Sequence, residues 1–355
     1  YLNAAMSEKA VKESLVPFRL LVRKIRYGKV YVTSEPSGAE LFINGKSEGL
    51  THGELVVSDV RPGQVDILLV LDGYKPLSKR CHLEEGATLE VHLELQKNQS
   101  VVWGRPWENS LGMKIEPLAG ISLGNTVMAA AWETRVQDYQ TYCKEKRVEA
   151  PKLPPFKQAP NHPVVNVSRD DAMKFCDWLT ERERKLERIS LTHRYRLPTD
   201  AEWSQLVGLL DEDPKLSPSA KDAQKQAVFP WGDDWIESNK PGNFADMTAA
   251  LSPNVDVDRT IAGYDDGHAY TAPVGSYEPN SLKLHDLSGN VQEWVSDPYS
   301  NQAGNTFGVL RGGGWNSYRI EDLYSGSRNA ALPTFADVMY GFRVVLAKEL
   351  APAGE

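Results

Sequence analysis

The carboxylates, histidines and glycines of this 355-residue chain suggest several kinds of chemistry. The run His285-Asp286-Leu287-Ser288-Gly289-Asn290-Val291-Gln292-Glu293-Trp294 is dense in oxygen donors. Its carboxylates Asp286 and Glu293 suit Ca2+, which takes about six to eight oxygens. Gly289 lets the loop turn back so that backbone carbonyls converge. His82-x-Glu84 and His92-x-Glu94 carry the donors of a two-histidine, one-carboxylate metal site. Residues two apart share one face of a strand, so the spacing is feasible, and a solvated strand face accounts for it equally well. Gly45-Lys46-Ser47 ends like a phosphate loop, but Glu40 stands where glycine is needed and a hairpin follows, which excludes nucleotide binding. Asn254-Val255-Asp256-Val257-Asp258 begins like an EF-hand loop, yet Arg259 occupies the glycine position, so it reads as a polar loop. His268 and His285 have no placed partner for acid–base work and read as solvent-facing loop histidines. No HExxH zinc helix is present, and no strand–serine–helix nucleophile elbow is expected.

Charge and cysteine usage narrow the classes further. A net charge of -8 lacks the basic face that phosphate neutralisation needs, so nucleic acid is not an expected partner. Three cysteines, Cys81, Cys143 and Cys176, are too few for a disulfide framework and stand in no CxxC pair. No apolar run reaches the roughly 18 residues that span a bilayer. The chain starts at Tyr1, which reads as a processed or trimmed terminus and leaves an anchor or signal segment open. Residues 1–27 hold six Lys/Arg against two Glu. Ala10, Val11, Leu15 and Phe18 are helically spaced there, with Pro17 interrupting them. The segment reads as a solvated basic linker, with a membrane-proximal tether as the alternative.

These groups must be positioned by two differently built cores. All nine tryptophans lie between Trp103 and Trp315 and none in residues 1–102, and large aromatics dominate core burial. Residues 28–97 read as all-β: Val30-Tyr31-Val32 alternates, Asn44-Gly45 marks a tight hairpin, and Val65–Leu71 and Thr88–Leu95 make further strands. Residues 98–348 mix short helices with long loops, and 349–355 form a tail. Thr134 with Gln137 predicts a capping box opening a helix to Lys144. Ser168–Leu186 predicts a second helix with Ala172, Phe175, Cys176 and Leu179 as its buried stripe, Cys176 being a core thiol. Thr199-Asp200-Ala201-Glu202 is a further box.

Two resemblances follow from motifs in order. "EPSGAELFING" through "LEVHLEL" is similar to the PEGA domain, which implies a small β-sandwich of cell-envelope proteins used for binding or spacing. "WETRVQDYQTYC" (132–143), "HPVVNVSRDDAMKFCDWL" (162–179), "YRLPTDAEW" (195–203), "LHDLSGNVQEWVSD" (284–297), "LRGGGWNS" (310–317) and "GFRVV" (341–345) resemble the formylglycine-generating enzyme, or sulfatase-modifying factor, family. That resemblance implies an α+β, C-type-lectin-like core with bound calcium.

Active members of that family oxidise a substrate cysteine with O2 and copper held by two cysteines shortly after RGG[SG]W. Those positions here are Ser317 and Asp322, and no cysteine follows Cys176. Hydroxyl and carboxylate are hard donors that cannot replace a copper(I) bis-thiolate site, so no copper is expected. The family's calcium ligands map onto Asp286, the Gly289 and Val291 carbonyls and Glu293. A second set maps onto Asn243, the Phe244 carbonyl, Asp266 and the His268 carbonyl. Arg311 and Arg343 read as buried ion-pair or carbonyl-binding residues. The resemblance thus implies a catalytically inactive, calcium-stabilised recognition module of the cell envelope, periplasmic or extracellular, that takes a protein or peptide. The stretch after RGGGW supplies the expected binding surface, Ser317, Tyr318, Arg319, Asp322, Tyr324 and Arg328, since tyrosine and arginine are enriched at hot spots. An enzyme with divergent, non-copper chemistry in the same cleft is the alternative, and it needs a base beside a nucleophile.

Overall fold

The computed structural model describes residues 24–213, 215–225, 227–232, 240–252, 256–300 and 306–349. The interrupted amphipathic stretch at Ala10–Phe18, the tail from residue 350 and the start of the EF-hand-like run at Asn254 lie outside them. The chain divides into two compact units between Gln99 and Ser100.

The first unit is a sandwich of two sheets. Strand β1 (Gly28–Glu35) pairs antiparallel with β4 (Leu55–Val60) and parallel with β7 (Thr88–Glu94). The second sheet runs β3 (Lys46–Leu50), β2 (Glu40–Ile43), β5 (Gly63–Val70) and β6 (Leu77–Leu83). Alternation decides which faces meet: Val30, Val32, Leu41, Val65, Ile67 and Leu69 are fully buried while their neighbours point outward. Asn44 and Gly45 take φ of 50° and 83°, the paired left-handed residues of a tight hairpin. His82 falls on β6, with Glu84 just beyond its end, and His92 and Glu94 fall on β7 in the other sheet; among the described residues no cluster of three or more His, Cys, Asp or Glu could hold a metal.

The second unit has little regular structure for its length. One sheet orders β11 (His193–Arg196), β16 (Val345–Lys348), β10 (Val127–Ala130), β9 (Lys114–Pro117) and β8 (Trp107–Glu108). The other orders β14 (Asn329–Ala331), β13 (Thr306–Arg311), β12 (Gln292–Ser300) and β15 (Tyr340–Gly341). Helix α1 (Val136–Lys146) starts two residues later than the sequence predicts. Thr134 is drawn into backbone pairing, its amide donating to Phe342 and its carbonyl accepting from Val164, so it cannot cap. Asp138 caps instead, accepting from the Arg135 amide at 3.0 Å and its Nε at 2.9 Å. Helix α2 (Arg169–Lys185) opens on Ser168, whose Oγ accepts from the Asp171 amide. Helix α3 (Asp200–Leu206) has the reciprocal Thr199–Glu202 box. Two further short helices are α4 (Pro218–Ala223) and α5 (Met247–Ala250). The sequence Gly120-Ile121-Ser122-Leu123-Gly124 does carry Gly-x-Ser-x-Gly spacing, but Ser122 opens a 3-10 turn and not a strand-to-helix elbow.

Aromatic side chains fill the main core. Phe175 on α2 stacks on Tyr139 of α1 at 5.6 Å and meets Phe342 edge-on at 5.4 Å. Ala172, Cys176 and Leu179 are buried with it, and burial drives the Cys176 thiol far up, as for a core thiol. Phe175→Ala should destabilise the protein by about 3–5 kcal/mol, read as a lower denaturant midpoint at unchanged slope.

Candidate functional site

The cleft begins where β13 ends. Arg311 closes the strand, and Gly312 and Gly313 follow at φ of 91° and 67°. Side chains are disfavoured in that left-handed region, and a Cβ on Gly313 would also stand 3.2 Å from the Asp322 carbonyl. The double reversal folds residues 314–329 back over the strand. Beside it lies a cavity of about 350 Å3 lined by Ser317, Tyr318, Arg319, Asp322 and Arg328, five of the six residues expected to form a binding surface. Tyr324 lies elsewhere: its ring packs against Phe229 at 5.3 Å in a separate aromatic cluster.

Ser317 and Asp322 face the same cavity but form no catalytic pair. Ser317 is buried and its Oγ accepts from the Gly314 amide at 3.1 Å, while its carbonyl accepts from Ala245. Among the described residues no hydrogen bond links Ser317 to Asp322 or Tyr324. The serine therefore works as a turn clamp, without the adjacent base that activates a nucleophile.

Arg328 is also not a free recognition residue. Its side chain is wholly buried and bridges Asp200 at 3.0 Å and Glu212 at 2.7 Å. Arg311 joins Asp200 at 2.5 Å and lies over the Trp203 ring at 4.4 Å. Lys221, from α4, completes the cluster beside Asp200 and Glu212. Burial pushes the Asp200 carboxyl up, but Arg311 and Arg328 outweigh it and hold it below its ordinary value. Sequence reading anticipated the buried Arg311 but not its partners, because Asp200 looked only like a first-turn residue of a helix.

Glu293 is likewise taken. Arg343 donates to both its oxygens, at 2.7 and 2.6 Å, and Trp203 Nε1 donates at 3.1 Å. Arg343 also donates to the carbonyls of Ala130 and His285. In the set Asp286, Gly289, Val291 and Glu293, both Glu293 oxygens are thus engaged by Arg343. Gly289 also serves a close approach, since a Cβ there would stand 2.3 Å from the Asn243 carbonyl. Asp286 accepts from the Gly275 amide through Oδ2, and its Oδ1 is buried without a partner. Near it lies Glu133, missed by sequence reading, fully buried with both oxygens unpartnered. Burial first, then the Asp286 and Glu293 carboxylates, raise its carboxyl well above the ordinary range. Only its place beside Trp132 in a family motif marks it in the sequence.

The second set gathers around a buried amide oxygen without a partner. Asn243 is fully buried; its Nδ2 donates to the Tyr270 carbonyl and its Oδ1 has no partner. Asp266 accepts from the Phe244 and His268 amides, at 3.0 and 2.9 Å, which brings the four residues together. Burial, with Asp246 adding repulsion, pushes the Asp266 carboxyl up to about 7 in the absence of a compensating charge. His268 is half-buried, and His285 Nδ1 contacts the Tyr277 carbonyl at 2.7 Å, so neither is the freely solvent-facing histidine the sequence suggests.

The second unit is thus a loop-rich α+β domain with buried Arg–carboxylate staples, and no cysteine lines the cavity beside the RGGGW turn. The family described as sulfatase-modifying factor enzyme 1-like domain matches residues 99–348, and the PEGA domain matches residues 27–99. The chain belongs to the sulfatase-modifying factor enzyme 1-like family, preceded by a PEGA domain. It is similar to the formylglycine-generating enzyme of Thermomonospora curvata, 30% identical over 40% of this chain and 35% of that protein. It is also similar to the inactive C-alpha-formylglycine-generating enzyme 2 of Mus musculus, 32% identical over 43% and 37%. The chaperone protein LppX of Paenibacillus barcinonensis is 25% identical over 78% of this chain and 85% of its own. The chain spans little more than a third of the length of the first two.

Asp200 is held below its unfolded pKa, so its stabilisation is present above the ordinary carboxylate range, about pH 4, and lost as pH falls through the lower folded value. Asp200→Asn should therefore cost about 3–5 kcal/mol near neutrality and flatten the acid limb of stability against pH, measured by urea unfolding.

Proposed function

We propose that this protein is a non-oxidising binding module of the cell envelope, whose cleft beside the RGGGW turn recognises an extended protein or peptide segment while the PEGA domain serves as spacer. The carrying observation is the pair Ser317 and Asp322. The positions where the family resemblance puts copper thiolates hold a clamped hydroxyl and a carboxylate facing one cavity. Neither is a soft donor for copper(I). Within the same unit the other thiols, Cys143 and Cys176, are buried in the core. The names of two relatives, an inactive formylglycine-generating enzyme and a chaperone, agree with a role in contact and not in oxidation. The envelope placement is supported by the PEGA match and the LppX likeness. Among the described residues no helix is long and apolar enough to cross a membrane.

Calcium is structural in this reading and sits at Asn243, the Phe244 carbonyl, Asp266 and the His268 carbonyl. The unpartnered Asn243 Oδ1 and the buried Asp266 carboxylate support it.

Incubated with copper, O2 and a Cys-x-Pro-x-Arg peptide, the protein should leave the peptide mass unchanged; conversion of the cysteine to formylglycine would sink the reading. For calcium, binding to the native state alone stabilises by about 2.7 kcal/mol at a hundredfold excess over Kd. Chelation should then lower Tm by several degrees, and Asn243→Ala should abolish that response. Glu293→Gln should lower Tm but keep the chelator response, because Glu293 serves Arg343. A Tm indifferent to chelator, with no metal in elemental analysis, would rule the site out.

A further inference from the structure

The chain enters the second unit through a strap, residues 100–108, laid against the turn after α2 and the β11–β16 pair. Ser100 Oγ donates to the Glu187 carbonyl at 2.7 Å, and the Val101 amide donates to the Arg188 carbonyl at 2.8 Å. Trp103 anchors this stretch. Its Nε1 donates to the Gly124 carbonyl at 3.1 Å, its ring stacks on His193 at 5.1 Å, and Lys348 Nζ lies over it at 4.3 Å. His193 and Lys348 face each other across the antiparallel pair β11 and β16. Trp107 has a separate attachment, in β8 against β9 and under the Arg188 guanidinium at 5.6 Å.

The imidazole in this anchor suits only its neutral form. His193 Nδ1 is buried and has no partner. Protonating the ring puts N–H on both nitrogens, and the one on Nδ1 would be a charged donor without an acceptor. The charged neighbours add to that cost. Lys348 already occupies the Trp103 ring, so a cationic His193 would share one ring with a second cation. Arg184 of α2 is close by, donating to the His193 carbonyl at 2.8 Å. Glu349, the carboxylate that follows Lys348, is divided between Arg184 and Arg194 at 3.4 and 3.5 Å, and Arg194 also pairs with Asp177. Burial first, then Lys348 and Arg184, keeps His193 below its ordinary value.

We propose that protonation of His193 releases the strap: as pH falls, residues 100–103 detach from the second unit while Trp107 stays in its sheet, and the connection to the first unit lengthens. In the released strap His193 titrates at its ordinary value, about 6.5, and in the seated strap lower. The seated form is therefore fully favoured above that pH and loses its advantage as pH falls below it. None of these residues lines the cleft beside the RGGGW turn, so the binding role and this device stand or fall separately.

The test is amide hydrogen exchange on the full chain between about pH 7.5 and 5.5, with rates corrected for the intrinsic pH dependence of exchange. Protection of the Val101 amide should fall at least about threefold, while the Ala130 amide, bonded to the Val344 carbonyl in the core sheet, keeps its protection. His193→Phe keeps a ring against Trp103 without a titrating group and should make Val101 protection independent of pH. His193→Gln, uncharged at every pH, gives the same reading should the phenylalanine fail to fold. Lys348→Met removes the competing cation and should shrink the response. Val101 protection that stays flat over this range in the unaltered protein would overturn the proposal. So would a response that survives in the His193 variants, which would assign it to another group such as His162, also held low by burial. Protection falling equally at Val101 and Ala130 would mean global unfolding and would overturn it too.

Discussion

Arg343 and Glu293 face each other in a space that water does not enter, and two hydrogen bonds with near-ideal geometry join them. Removing both charges from water is costly, and the two-point pairing with the added bonds from Arg343 to Ala130 and His285 offsets that cost. The matching is what organises the second unit. Arg343 ties β12 to the end of β10 and to the loop before Asp286, and Glu293 ties the same point to α3 through Trp203. A domain with this little helix and strand has few backbone ladders to cross-link its loops. Buried charges do that work, and no disulfide shares it among the described residues.

The same device repeats beneath the cleft. Asp200 sits in the first turn of α3, where a carboxylate is favoured by the helix dipole, and from there it meets Arg311 and Arg328. That fixes the end of β13 to the segment returning from it. The RGGGW turn is therefore held from below by ion pairs and from within by Ser317 on the Gly314 amide. A floor this constrained loses little entropy on binding, which suits recognition. The Ser317 hydroxyl in the cavity has a structural task, as acceptor for the Gly314 amide.

Much of the architecture was legible in the residues. Period-two alternation from Val30 to Val32 and from Val65 to Leu69 reported the sandwich directly, since a strand buried on one face can be written in no other way. The Ser168 and Thr199 boxes marked helix starts because capping is a local interaction over three residues. Thr134 shows where local reading stops: its spacing suited a cap, but Phe342 and Val164, distant in sequence, claimed its backbone.

What the sequence by itself determined is the identity of the atoms at the cleft: a hydroxyl at 317, a carboxylate at 322, no thiol after 176, and hence the softness of any donor set. What only the tertiary structure decided is which charges are free. Arg319 and Arg328 look alike in the chain, yet one is exposed at the mouth and the other is buried on Asp200, 128 residues away. Glu293 is an oxygen donor in its local run, and only the fold brings Arg343, 50 residues later, onto both its oxygens. Spacing records periodicity and caps, which act within a turn or a strand. The partner of a buried charge is chosen by whichever group the fold brings within about 3 Å, and that choice is made across the whole chain.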